Sequence, residues 1–192
     1  PVWLEVEGID STFTVWLEVG FAMLIFFDTE FTSLEWPAEC LSIGLVTDDG
    51  RHWRYLERSD VDRTACSDFV VSAVLPLFGH VPGAVMPYGE FGAALRAWLE
   101  TLAGELQFAC DSPIDFRFLQ WILEGRLPAR CHPTPLLVGR EDPEAWEEAI
   151  EAYFAARPRI RRHHALADAY ACREAYHQLT GLNARRAGVP PD

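Results

Sequence analysis

Lysine is absent from the chain, and all sixteen basic residues are arginine. Arginine suits two-point contacts with phosphate, but genome base composition produces the same bias and is the weightier reading. Positive charge is scarce altogether: 16 basic against 29 acidic side chains leave a net charge of -13. That excludes a broad electrostatic attraction to nucleic acid, so any role of that kind must come from a local site. Paired cysteines are missing too. Cys40, Cys66, Cys110, Cys131 and Cys172 are odd in number and widely spaced, without the CxxC pair of a zinc knuckle or redox motif, and a reducing, cytoplasmic setting is expected. No apolar run reaches membrane length. The longest, "GFAMLIFF" at 20–27, follows glutamates rather than a basic signal start, reads as a buried strand, and gives no reason to expect a membrane partner.

What is present suits one globular domain: 192 residues, 49% of them hydrophobic and 23% charged. "VWLEV" occurs at 2–6 and again at 15–19 around "GIDS", as either a hairpin or a leader. Residues 1–22 are therefore expected to be an N-terminal extension, and 23–192 the working domain beginning at Met23.

"LIFFD" (24–28) predicts a strand, and "ECLSIGLVTDDG" with "RHWRYLE" predicts a hairpin about a DDG turn. "SDFVVSAVLPLF" (67–78) reads as a helix. "EFGAALRAWLETL" (90–102) puts Phe91, Leu95, Trp98, Leu99 and Leu102 on one helical stripe. "ELQFACD" (105–111) is a fourth strand. Ser112 as cap and Pro113 at the first position open a helix through "IDFRFLQWILEG". "PLLVG" (135–139) is a fifth strand, Asp142 and Pro143 repeat the helix-start signal, and a last helix covers about 165–179, ending near Gly181. The order predicts an α/β fold, a mixed sheet with helices on its faces and an active crevice at strand ends.

Three segments carry candidate chemistry. In "FFDTEFT", Asp28 and Glu30 point to the same side of an extended chain at the mouth of an apolar strand, where unpaired charges are costly without a counter-ion. In "CDSPIDFRFL", Asp115 lies in the first helical turns, either as a ligand or as compensation for the helix dipole, while Asp111 belongs to the strand-to-helix turn, with an Asx cap as one role. In "RRHHALADAY", His164 is four residues before Asp168 and shares its helical face; His163, five before, is rotated roughly 140° away and must sit in the preceding loop to reach the same site. A histidine pair at a helix start is just as well solvated and structural.

Together the segments resemble the DEDDh family of 3′-to-5′ exonucleases, which includes ribonuclease T, oligoribonuclease and bacterial proofreading subunits. "FFDTEF", "LSIGLVTDDGR" and "VLPLF" are most similar to a small bacterial exoribonuclease-like group known from mycobacteria. The resemblance implies a ribonuclease H-like fold. It implies metal binding by Asp28, Glu30, Asp115 and Asp168, with Asp28 bridging two Mg²⁺ or Mn²⁺ ions, and a general base at His163 in the HxAxxD pattern. It implies single-stranded RNA or DNA 3′ ends as partners, RNA or short oligonucleotides before duplex DNA, and, as in many relatives, a homodimer. Several relatives carry asparagine where this chain has Asp111, and an extra anion there repels substrate unless it turns away or binds metal. Phe31 and Thr32 are candidates for the terminal base and sugar, although Phe31 also reads as core. Arg157, Arg159, Arg161 and Arg162 either grip the substrate backbone, Arg161 and Arg162 being nearest the histidines, or pair with "EDPEAWEE". The alternative function is a catalytically silent nucleic-acid-binding or scaffold protein of the same fold, and a further option is an endonuclease of the wider fold class.

Overall fold

A computed structural model describes residues 22–181 and the backbone of residues 5–8 and 11–14. The two short N-terminal strands, β1 (Glu5–Gly8) and β2 (Ser11–Thr14), pair antiparallel in a sheet of their own. Residues 9 and 10 and the second "VWLEV" copy, on which the choice between hairpin and leader rested, lie outside the described residues.

The main sheet has six strands: β3 (Met23–Phe31), β4 (Cys40–Thr47), β5 (Trp53–Arg58), β6 (Val85–Met86), β7 (Leu106–Cys110) and β8 (Leu136–Leu137). Their order is β6-β5-β4-β3-β7-β8; β3, β4 and β5 form an antiparallel meander, and β7 joins β3 in parallel. The DDG turn closes β4 to β5 as its residues dictate. Asp49 accepts hydrogen bonds from the Arg51 N–H and the Thr47 hydroxyl, and Gly50 takes φ 70°, a conformation that disfavours other residues.

Among the described residues four α-helices cover the sheet: α1 (Tyr88–Thr101), α2 (Pro113–Ile122), α3 (Pro143–Ala155) and α4 (Ala165–Leu179). Two start at the expected caps. The Ser112 side chain accepts the Ile114 N–H, and Asp142 accepts that of Ala145, satisfying donors that a helix N-terminus leaves free. Segment 67–78 is helical but irregular, a π-helical turn (Val70–Val74) running into a 3₁₀ turn (Leu75–Leu77). Pro76 has no N–H to continue an α-helical ladder.

Burial explains why the central strands are apolar throughout. Ile25 and Phe27 of β3 pack with Phe91, Leu95 and Leu99 of α1 and with Phe118 and Leu119 of α2. Phe26 points the other way, toward Trp146 and Ile150 of α3 and Ala169 and Tyr170 of α4. Every residue of β4 is buried. Its Gly44, paired with Asp28 across the ladder, is where α4 comes closest: a Cβ there would lie 2.2 Å from the Leu166 backbone nitrogen. The missing side chain brings the first turn of α4 down beside Asp28. Among the described residues no helix is long and apolar enough to cross a membrane.

Candidate active site

Because β3 and β7 run parallel, their C-terminal ends open at one edge of the sheet, the place where crevices form in such folds. Strand alternation sets Asp28 and Glu30 on the α4 side of β3, and Thr29 on the other. The Thr29 N–H and hydroxyl both donate to Asp115 Oδ1, at 3.2 and 2.6 Å, which pins the carboxylate of α2 against the strand end. From α4, Asp168 Oδ2 accepts the His164 N–H at 3.0 Å and is held facing the same cleft. Five acids meet there in two overlapping groups. The carboxylate oxygens of Asp28, Glu30 and Asp168, and those of Asp28, Asp111 and Asp115, lie within 4.8 Å of one another in each group, with Asp28 common to both.

Such crowding shifts every acid that was expected to bind metal in the same direction. Burial first, then Asp115, Asp168, Glu30 and Asp111, push the Asp28 carboxyl well above its ordinary range. Glu30 is pushed up to about 9, by burial and then by Asp168 and Asp115. Burial raises Asp115 to about 7 against the pull of its Thr29 hydrogen bonds, and raises Asp168 to about 7 against the His164 N–H and Arg162. Oxygen-only donors packed this closely suit hard divalent cations, and a bound cation would remove the repulsion that holds these protons on. The donor set therefore fits the metals expected from the sequence.

The cleft, about 590 Å³, is lined by all five acids and also by Phe31, Phe69, Arg162, His163 and Cys172. The two histidines part company here. His163 adopts φ 68°, a left-handed conformation uncommon outside glycine, and turns its half-buried ring onto the cleft wall, edge-on to Phe69 at 4.8 Å. Burial and the neighbouring Arg162 lower its pKa, favouring the neutral ring that can accept a proton. His164 takes the cap position of α4, and its ring stacks on Tyr55 at 4.4 Å, off the cleft.

The geometry bears on three further expectations. Thr32 is 1% exposed and absent from the cleft wall, because its N–H and hydroxyl are engaged with the Glu39 backbone and its carbonyl with Ser67. Arg161 is exposed away from the lining, whereas Arg162 reaches it but is held by Glu147, at 2.7 Å, and by Glu151 of α3. Asp111 does not serve as the cap, a role Ser112 fills; its carboxylate joins the acid cluster, with Cys172 Sγ 3.8 Å away. Phe31 is both wall and core: it lines the cleft and stacks on Phe118 at 5.1 Å. Arg157 lies over the Tyr153 ring, 4.0 Å from its centre. The sequence reading missed Gly44, Phe69 and Cys172. A glycine inside an otherwise apolar strand was the one local signal for a close approach.

No protein-family model matches the chain, and no curated protein matches its sequence. Solved structures do match, and the mixed sheet with helices on both faces is a ribonuclease H-like fold. The nuclease domain of 3'hExo, a DEDDh family member, in its complex with rAMP, superposes with a TM-score of 0.57 and 14% identity over 88% of this chain and 96% of that one. At that identity the likeness is one of fold.

Proposed function

We propose that the protein is a metal-dependent 3′-to-5′ exonuclease of the DEDDh type acting on single-stranded nucleic acid, in preference RNA or short oligonucleotides. The observation that carries this reading is Asp28, shared by two carboxylate groups on a cleft that also presents His163. The ribonuclease H-like fold supports it. The RNA preference leans on the similarity of "FFDTEF" and "LSIGLVTDDGR" to the bacterial exoribonuclease-like group. A cytoplasmic, reducing setting agrees with five free cysteines.

Asp28, Glu30, Asp115 and Asp168, joined here by Asp111, would hold two divalent cations, Mg²⁺ or Mn²⁺. When bound, these supply acidification of water and neutralisation of charge at the scissile phosphate. The protein's own groups do the rest. Thr29 and the His164 N–H fix the directions of Asp115 and Asp168. His163, neutral at working pH, accepts the proton of the attacking water at its imidazole nitrogen. Phe31 packs the terminal base, and Arg162 exchanges Glu147 and Glu151 for the substrate backbone.

The test is incubation of 3′-labelled RNA and DNA strands with Mn²⁺ and then with EDTA. Mononucleotides released from the 3′ end with Mn²⁺ alone, and not by Asp28→Asn, are expected. Absence of any metal-dependent product would favour the silent binding protein, and cleavage of a circular strand would favour an endonuclease.

A further inference from the structure

Beside the cleft, Trp36 and Trp121 present exposed rings that the proposed chemistry does not use. Phe31, on the cleft wall, stacks on Phe118 at 5.1 Å and 23°, and Phe118 stacks on Trp36 at 5.9 Å and 25°. Trp121 of α2 stands edge-on to both Phe118 and Trp36, at 5.3 Å from each. Phe118 is the buried link, whereas Trp36 and Trp121 are each 48% exposed, an unusual amount for indole rings. The Arg117 guanidinium lies over Trp36, 5.4 Å from the ring centre. Arg58, Arg162 and Arg173 are paired with acids, whereas Arg117 has no ion pair among the described residues.

We infer that Trp36, Trp121 and Arg117 form a platform for the bases and backbone upstream of the 3′-terminal nucleotide of a single strand, a reading that rests on the proposed exonuclease function. Rings on which any base can stack, with an arginine free to meet phosphate, are the combination that binds single strands without reading sequence. Continuity with the cleft favours this occupant: Leu34 and Glu35, the residues before Trp36, line the cleft, and through the buried Phe118 the Trp36 ring lies two ring-to-ring steps from Phe31 on the cleft wall. Stacked nucleotides rise about 3.4 Å each, so roughly three span those steps. A dinucleotide in the cleft does not reach Trp36, and a heptanucleotide does. In a chain of net charge -13, such a local site is the form nucleic-acid affinity must take.

The experiment compares Trp121→Ala and Arg117→Ala with the parent on two RNAs, a dinucleotide and a heptanucleotide. Binding is read by fluorescence anisotropy of 5′-labelled strands in the Asp28→Asn background, and turnover by kcat and KM with Mn²⁺. About tenfold weaker binding and higher KM for the heptanucleotide are expected, with kcat and all dinucleotide parameters unchanged. Arg117 is a surface residue, so its variant carries the test if Trp121→Ala folds poorly. Equal effects on both lengths, or none, overturn the platform. So does a change in oligomeric state with the length dependence intact, which would make the patch a subunit contact. Length-dependent binding without any hydrolysis would leave the platform standing and remove the nuclease reading; normal hydrolysis that ignores both substitutions would do the reverse.

Discussion

Helix α4 carries a buried polar cluster at each end, and the two are built on opposite terms. Toward its C-terminus the fully buried Arg173 donates from Nε to the Asp48 carbonyl at 2.7 Å and pairs with Glu174 at 2.6 Å, while His177 Nε2 lies 2.9 Å from Asp48 Oδ1. Positive and negative partners both come from the chain, so that end is a structural clasp between α4 and the β4–β5 turn. At the other end Asp168 meets Asp28, Glu30, Asp111 and Asp115, a group of like charges. Arg162, the cation on the same wall, is already held by Glu147 and Glu151. Burial alone does not mark function; burial of like charges whose compensation must come from outside does.

Substitutions should separate the two ends. Asp28→Asn removes the shared ligand and is expected to reduce hydrolysis by about 10³-fold or more, since several kcal/mol of transition-state charge stabilisation is lost; end-labelled product counts measure it. His163→Ala should reduce kcat by about 10²–10⁴-fold and leave Mn²⁺ affinity by calorimetry intact. At the clasp, Arg173→Ala is expected to destabilise by about 3–5 kcal/mol in denaturant unfolding without altering metal affinity, because it strands buried acceptors. Gly44→Ala joins the two effects: it pushes α4 off Asp28, costs about 3 kcal/mol, and weakens Mn²⁺ binding as well. His164→Ala loses its stack on Tyr55, about 1 kcal/mol, and little of kcat.

Much of this was legible in the chain because its signals are local. Ser112–Pro113 and Asp142–Pro143 announce α2 and α3, and the spacing of His163 and His164 from Asp168 already sets the two histidines apart. The unread parts depend on contacts distant in sequence. Asp111 has two sensible roles at a strand-to-helix turn, and only the parallel pairing of β3 with β7 brings it to Asp28. Thr32 is polar and follows the first motif, yet the loop back to Glu39 consumes its hydrogen bonds. For Arg162 the sequence left two partners open, substrate or the acids of "EDPEAWEE"; the packing of α3 against α4 brings Glu147, and with it Glu151, to the guanidinium.

The central claim is that the acid cleft lacks its counter-charge until divalent cations arrive, and thermal unfolding against pH tests it most directly. Glu30 is raised to about 9, and Asp115 and Asp168 to about 7. Each acid therefore binds its proton more tightly folded than unfolded. The metal-free protein should lose stability from this source as pH climbs from about 4, where unfolded carboxyls titrate, through about 7 to 9. Saturating Mn²⁺ at pH 8 is predicted to return several degrees of Tm, on the order of 3 kcal/mol at a hundredfold excess over Kd, to do far less at pH 5, and to do little for Asp28→Asn. A Tm that ignores Mn²⁺ at pH 8, or rises equally in Asp28→Asn, would contradict the account.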